Sequence, residues 1–428
     1  MATNPSLPHP PSPPPSVEPT RPSRRPVRLP DEIILEIIDW CDHLHSTRPS
    51  SLSRERDEAL AALCHLARRF RPAAERTLYS RFKIFALRHD VVLRTLYHRP
   101  ELRPHVIEVN FHLFGPALED DEFDDEHVAA VLGDLPTVED VSVCTADAVV
   151  LALVFTGLHR PLRRLRILDP HEEVQPILRQ HAPTFAELEH LHIANIDGNP
   201  RATPTPVDLP KLTSLSTSIP SSWTSFAAFT SLVRPTLTSL ALPLSQELGT
   251  YDLGGFSALK TLRLFDPAGT GSGNCRPLSA ADLLALFRTC TSTSTSTSPS
   301  LTSLALEGDL SRASNPKLEP PFAHVLAALP PSLAHLALLA RTWSRSQRVG
   351  LADAAAAYLI GAARAPGLRS LRIGGGKGAV AERFRELTVQ RPGGESGETM
   401  LLVDWLEEEG VRVTTVAEFS ALPAESAH

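Results

Sequence analysis

The chain is poor in cysteine, methionine and long apolar runs, and each shortage narrows what it can be. Its 428 residues hold five cysteines (Cys41, Cys64, Cys144, Cys275 and Cys290) and two methionines. No two cysteines form a C-x-x-C pair, so neither a zinc site nor a disulfide framework is expected. An odd, sparse set fits a reducing compartment better than a secreted scaffold. The longest apolar run, Ala148 to Phe155, is far too short to span a bilayer. The N-terminus lacks the apolar stretch of a secretory signal. Positive charge is not in excess either. The 42 Lys and Arg against 49 Asp and Glu leave a net charge of −7, which argues against a dedicated nucleic-acid binder. These absences predict a soluble intracellular protein, in cytoplasm and/or nucleus, with no membrane and no nucleic-acid partner.

Catalytic signatures are also missing. There is no Gly-x-Ser-x-Gly elbow and no His-Glu-x-x-His pair. Gly374-Gly375-Gly376-Lys377-Gly378 follows an apolar segment, as a phosphate loop does. However, Leu371 stands where the first loop glycine belongs, and Gly378 stands where Ser or Thr is needed. It reads as a turn. Gly269, Gly271 and Gly273 lack the spacing of a dinucleotide fingerprint and read as a loop tip. The 17 histidines are scattered and read as surface residues rather than ligands. The expectation is no catalytic residue, no cofactor, no metal and no enzymatic activity. An enzyme or nucleotide-dependent switch with an unrecognised site stays open as a minor alternative.

Hydrophobic residues make up 42% of the chain, enough for a sizeable core. Residues 1–28 contribute little to it. They hold ten prolines and the arginines Arg21, Arg24, Arg25 and Arg28, and read as a disordered or polyproline-like leader. The next stretch is different. Pro30 suits the first turn of a helix, and Asp31 and Glu32 place negative charge there. Ile33, Ile34, Ile37 and Ile38 then predict a single apolar stripe. After a polar gap, roughly Asp42 to Glu58, a second helix carries Leu60, Leu63, Cys64, Ala67 and Phe70. A third holds Ala74, Leu78, Tyr79 and Phe82. This small unit has too little core to stand alone.

The stretch Leu29-Pro30-Asp31-Glu32-Ile33-Ile34, followed by Arg68-Arg69-Phe70 and Leu78-Tyr79-x-x-Phe82, resembles an F-box over about a fifth of the chain. It departs from that family in the polar insertion and in Phe70, where many members carry Trp. The resemblance implies docking on a Skp adaptor, and through it on a cullin. The implied adaptor-facing patch is Leu29, Pro30, Ile33, Ile34, Ile37 and Leu63. Without the resemblance, the same residues read as an N-terminal helical cap.

Downstream, one pattern organises the chain: apolar, two variable, apolar, one variable, apolar. It begins at Val138 and recurs from Leu162, Leu188, Leu237, Leu259, Leu301, Leu333 and Leu368, with a weaker copy at Leu212 and an earlier one at Val106–Phe111. Starts from 138 to 259 lie 24, 26, 24, 25 and 22 residues apart, and later spacings stretch to 42, 32 and 35. Such a period predicts stacked strands with return limbs, no one of which buries its apolar edge alone. Helical limbs are expected at Ala146–Leu158, Glu173–His181, Ser279–Thr289, Pro321–Leu329 and Leu351–Ala365. The copies resemble the leucine-rich-repeat superfamily, irregularly: Asn195 alone stands near its usual Asn position.

The fold class expected is α/β: a small N-terminal helical F-box-like unit, then an irregular leucine-rich-repeat solenoid (horseshoe). The expected divisions are a leader at 1–28, the helical unit at 29–85, a linker helix at 86–104, repeats at 105–420 and a tail at 421–428. The acidic run Glu119–Glu126 and the Thr/Ser run Thr289–Ser300 read as loops, Met400–Glu409 as a helix and Val411–Val416 as a last strand, the two capping the open end of the array. An F-box ahead of such repeats resembles the substrate-recognition subunit of a Skp–cullin–F-box ubiquitin ligase, which implies a non-catalytic receptor holding a protein substrate. The alternative is a repeat scaffold with no ligase role. In either case the variable residues between the leucines face the partner on a concave surface. They are Arg164, Arg166, His190, His192, Thr261, Arg263, His335, Ser370 and Arg372. Their basic character hints at an acidic or phosphorylated partner, and reversing Arg166 and Arg263 to Glu is expected to weaken capture without unfolding the repeats.

Overall fold

A computed structural model describes residues 30–46, 52–66, 70–84, 91–112, 125–144, 148–168, 174–194, 206–218, 223–244, 249–265, 280–291, 300–308, 322–340, 345–361, 364–375, 379–390 and 399–416. The leader, the acidic run up to residue 124, Asn195, the Gly269–Gly273 stretch and residues 292–299 lie outside these. Contacts divide the chain into two compact units, Met1–Glu75 and Arg76–His428.

The first unit holds α1 (Asp31–Ser46), α2 (Leu52–Leu66) and the start of α3 (Arg71–Ser80). Most of the expected polar gap is helical, because α1 runs on to Ser46 and α2 begins at Leu52. The aliphatic residues of α1 also divide rather than form a single stripe. Ile34 and Ile38 are buried, as are Leu60 and Ala74, whereas Ile33 and Ile37 are 43% and 37% exposed. The reason is helical geometry. Positions i and i+4 lie about 40° apart, but i and i+1 about 100°, so four residues in two adjacent pairs span too wide an arc for one contact.

The second unit is built on a single twelve-stranded sheet. Its strands are β1 (Arg81–Ile84), β2 (Glu108–His112), β3 (Asp140–Cys144), β4 (Arg164–Leu168), β5 (His190–Ile193), β6 (Ser214–Thr217), β7 (Ser239–Pro243), β8 (Thr261–Phe265), β9 (Ser303–Gly308), β10 (His335–Ala340), β11 (Ser370–Gly375) and β14 (Arg412–Val416). Each pairs in parallel with its neighbour in that order, and the apolar positions fall in register from copy to copy. Leu165, Leu191, Leu215, Leu240, Leu262, Leu304, Leu336 and Leu371 form one column, none more than 2% exposed. Such a continuous strand stack with one repeat per rung is a leucine-rich-repeat solenoid. Removing one of these leucines would cost roughly 2–5 kcal/mol.

Return limbs close the core on the leucine side. They include α4 (Val91–His98), α5 (Asp125–Gly133), α6 (Ala148–Gly157), α7 (Val174–Gln180), α8 (Trp223–Thr230), α9 (Ala280–Thr291), α10 (Phe322–Ala327) and α11 (Arg345–Ile360). Phe155, Phe226, Leu283 and Val325 from these limbs join the strand leucines in one cluster. The weak copy at Leu212 is a full rung: Thr217 fills its third apolar position, 1% exposed, with its hydroxyl donating to the Ala194 carbonyl at 3.4 Å. Hydroxyls also tie rung to rung where the chain enters the strands. Thr213 donates to Glu189 O, Thr238 to Thr213 O and Thr302 to Lys260 O, at 3.2–3.3 Å.

Beyond β11 come α12 (Ala379–Glu386), a small hairpin of β12 (Thr388–Gln390) with β13 (Thr399–Leu401), and α13 (Leu402–Glu408). Then β14 adds itself to β11 as the final strand. This changes the reading of the glycine run: Gly374 and Gly375 belong to β11 rather than to a turn. A Cβ on Gly374 would sit 2.2 Å from the Val416 carbonyl oxygen, inside contact distance. We therefore expect Gly374→Ala to displace β14 and lower stability by about 1–3 kcal/mol, the usual range for overpacking. Urea denaturation with proteolysis of the Arg412–Val416 segment measures this. Unchanged stability and protection would contradict it.

Candidate functional site: the outward face of the strand ladder

In every strand, side chains alternate between the leucine core and the opposite face. Parallel pairing then lines up the outward residues in rows. One row runs Glu108, Asp140, Arg164, His190, Ser214, Ser239, Thr261, Ser303, His335, Ser370. The next runs Asn110, Ser142, Arg166, His192, Ser216, Ala241, Arg263, Ala305, Ala337, Arg372. All nine residues expected from the sequence to face a partner are in these two rows.

Five of them meet. Arg164, Arg166, His190, His192 and Thr261 line a shallow depression of about 220 Å³ over β4–β8. Small side chains make the hollow, since Ser214, Ser216 and Ser239 stand between the histidines and Thr261. Lys260, Thr213 and Thr238 complete the rim. His335, Ser370 and Arg372 lie on β10 and β11, outside the depression. There the His335 Nδ1 and the Ser370 hydroxyl are 2.8 Å apart.

Two of the arginines are engaged with carboxylates. Arg164 lies 3.5 Å from Asp140, both partly exposed, a contact worth little in water. Arg263 reaches Glu307 at 2.7 Å, and Glu307 is 3% exposed. Removing one member of such a buried pair strands the other, at roughly 3–5 kcal/mol. Arg263 also stacks over Phe265, 5.4 Å from the ring centre. Arg263→Glu would set two carboxylates against each other, so the expectation that its reversal spares the fold is corrected. Arg166 lines the depression itself, so its reversal is the more direct probe of binding there.

His192 registers the field of this region. Burial first, then the positive charges of Arg166 and Arg263, push its imidazole down to about 4. Its Nε2 lies 3.1 Å from the Ser218 hydroxyl. At neutral pH the ring is uncharged, a polar wall rather than a cation.

The adaptor-facing set is placed on the first unit. Pro30, Ile33 and Ile37 are exposed, Leu63 is half-buried, and Ile34 is buried at 7% exposure. Leu29 lies outside the described residues. Trp40, 62% exposed, shares the outward stripe of α1 with Ile33 and Ile37 at i, i+4 and i+7 spacing. Its place on that stripe is legible from the spacing alone, although the adjacent aliphatic pairs dominate the pattern. The serines of the depression carry no signal in the sequence, because a hollow is made by small side chains. No group of three or more His, Cys, Asp or Glu is arranged to hold a metal among the described residues. No described helix is long and apolar enough to cross a membrane.

His192 makes stability pH-dependent. Above pH 6.5, its ordinary value, the ring is neutral in folded and unfolded chains alike. As pH falls from 6.5 towards 4 the unfolded chain binds a proton that the folded chain refuses, and stability is lost. The loss is on the order of 3 kcal/mol. His192→Gln should remove it, so the stability difference between the two proteins should change by that amount between neutral and acid pH in urea titrations. A difference independent of pH would contradict the assignment.

No family model matches the chain, and no curated protein matches it. Among solved structures it is similar to the leucine-rich repeat-containing protein LegL7 from Legionella pneumophila, at 13% identity over 69% of this chain and 81% of that one, with a TM-score of 0.37. It is similar also to the protein of a TLR13–ssRNA13 complex, at 16% identity over 70% of this chain and 40% of that one, TM-score 0.37. At this level of likeness neither neighbour bears on what the chain binds.

Proposed function

We propose that the chain is the substrate-recognition subunit of a Skp–cullin–F-box ubiquitin ligase, acting inside the cell in cytoplasm or nucleus. In this reading residues 29–85 are an F-box-like unit, 86–104 a linker, and 105–420 the repeats that hold a protein substrate. The chain does no chemistry. It raises the effective concentration of substrate lysines near a ubiquitin thioester supplied by another subunit.

The observation that supports it is the outward stripe of α1. Ile33, Ile37 and Trp40 expose large apolar surface on a helix that already buries Ile34 and Ile38 on another side. A soluble helix with one apolar face satisfied and a second one open is suited to a partner. The sequence resemblance carries the partner's identity. A repeat scaffold without a ligase role is the second reading, which the continuous twelve-stranded sheet supports by itself.

Co-expression with the Skp adaptor, followed by gel filtration, separates the two. The wild type should elute as a one-to-one complex. Ile33→Asp/Ile37→Asp should lose the adaptor and keep the fold, because substitutions at exposed positions usually change stability by less than about 0.5 kcal/mol each. No complex with the wild type would leave the scaffold reading.

A further inference from the structure

The depression over β4–β8 has an unusual lining. Arg164, Arg166 and Lys260 bring positive charge to it, and no carboxylate lines it. Its floor is polar. The hydroxyls of Thr213 and Thr238 are committed to backbone carbonyls, whereas those of Ser214, Ser216, Ser239 and Thr261 are not engaged elsewhere among the described residues. Side chains of one charge sign, set around uncommitted hydroxyl donors in a hollow of about 220 Å³, specify the missing occupant by complementarity. It must be anionic, small where it enters, and rich in acceptors.

We propose that this depression binds a terminal phosphoryl group, a phosphomonoester dianion carried by a phosphorylated side chain or by a small molecule. A phosphomonoester has three terminal oxygens and close to two negative charges at neutral pH. That matches several cations and hydroxyl donors better than a carboxylate, with two oxygens and one charge. Phosphodiesters present one charge per group and lack the terminal dianion. The position of His192 is consistent: it is half-buried at the edge of the hollow, and its imidazole is held down in part by the charges of Arg166 and Arg263. The inference does not rest on the ligase reading. Failure of adaptor binding leaves it standing, and its own failure leaves adaptor binding untouched.

The test uses the full chain with ¹³C-labelled histidine, His192 being assigned by its loss in His192→Gln. Inorganic phosphate, a phosphoserine peptide, glycerol 3-phosphate, acetate and a uridine oligonucleotide without terminal phosphate are added at matched ionic strength. Bound phosphate should raise the His192 titration midpoint by about one pH unit, a tenfold gain in proton affinity, because a dianion offsets the cations that depress it. Arg166→Gln and Lys260→Gln should each weaken the effect severalfold while melting near the wild-type temperature. If Arg166→Gln fails to fold, Lys260→Gln alone decides. Tighter binding of the phosphopeptide than of glycerol 3-phosphate assigns the group to a protein, and the reverse to a small molecule. No shift with phosphate, an equal shift with acetate, or a shift with the oligonucleotide alone would overturn the proposal.

Discussion

Everything in the second unit depends on the register of one parallel ladder. Because Leu165, Leu191, Leu215, Leu240 and Leu262 stand opposite one another, each strand buries the apolar edge of the last and offers its own to the next. A slip of one residue would turn every leucine outward and every arginine and histidine into the core. The stack cannot tolerate that, so the leucines fix the positions of residues they never touch. Lateral ties reinforce the ladder where the strands begin, through the threonine hydroxyls that bridge successive rungs.

The same constraint explains why the outward face can vary. Core positions are held to a narrow range of size and polarity, but the alternate positions are set only in direction. This face therefore carries arginine, histidine, serine and alanine side by side without disturbing the fold. Its character comes from two choices. Small residues on β6 and β7 open a hollow, and cations on either side of it set its potential. Where a charge is structural rather than free to bind, the sign is burial: Glu307, at 3% exposure, anchors Arg263 in place.

The repeats were legible in the sequence because their signal is periodic and repeated. Positions such as Leu188 and Leu333 recur with spacing that chance does not supply, and parallel pairing follows from stacking. The weak copy at Leu212 is harder to read, since Thr217 replaces the apolar third position, and its pairing with β5 and β7 and the buried Thr217 hydroxyl bond make it a rung. β1 and β14 close the two ends of the sheet. Their places at the two ends of the sheet depend on tertiary pairing that no local pattern encodes. Gly374 misled for the same reason: a glycine run looks like a turn until Val416 is seen to need the space. On α1, the split between Ile33 and Ile34 follows from helical geometry, and the pattern of adjacent pairs concealed it. The outward cations were legible by position, while the hollow between them was not, because it is an absence of side chain.

The measurement that tests this account most directly is hydrogen–deuterium exchange along the chain. A single register-locked ladder predicts slow exchange at the strand segments from β1 to β14, fading towards the two edges and remaining continuous through Ser214–Thr217. Fast exchange at that middle rung, or protection that stops between β8 and β9, would show that the sheet is not one ladder and that the outward rows are not held as described.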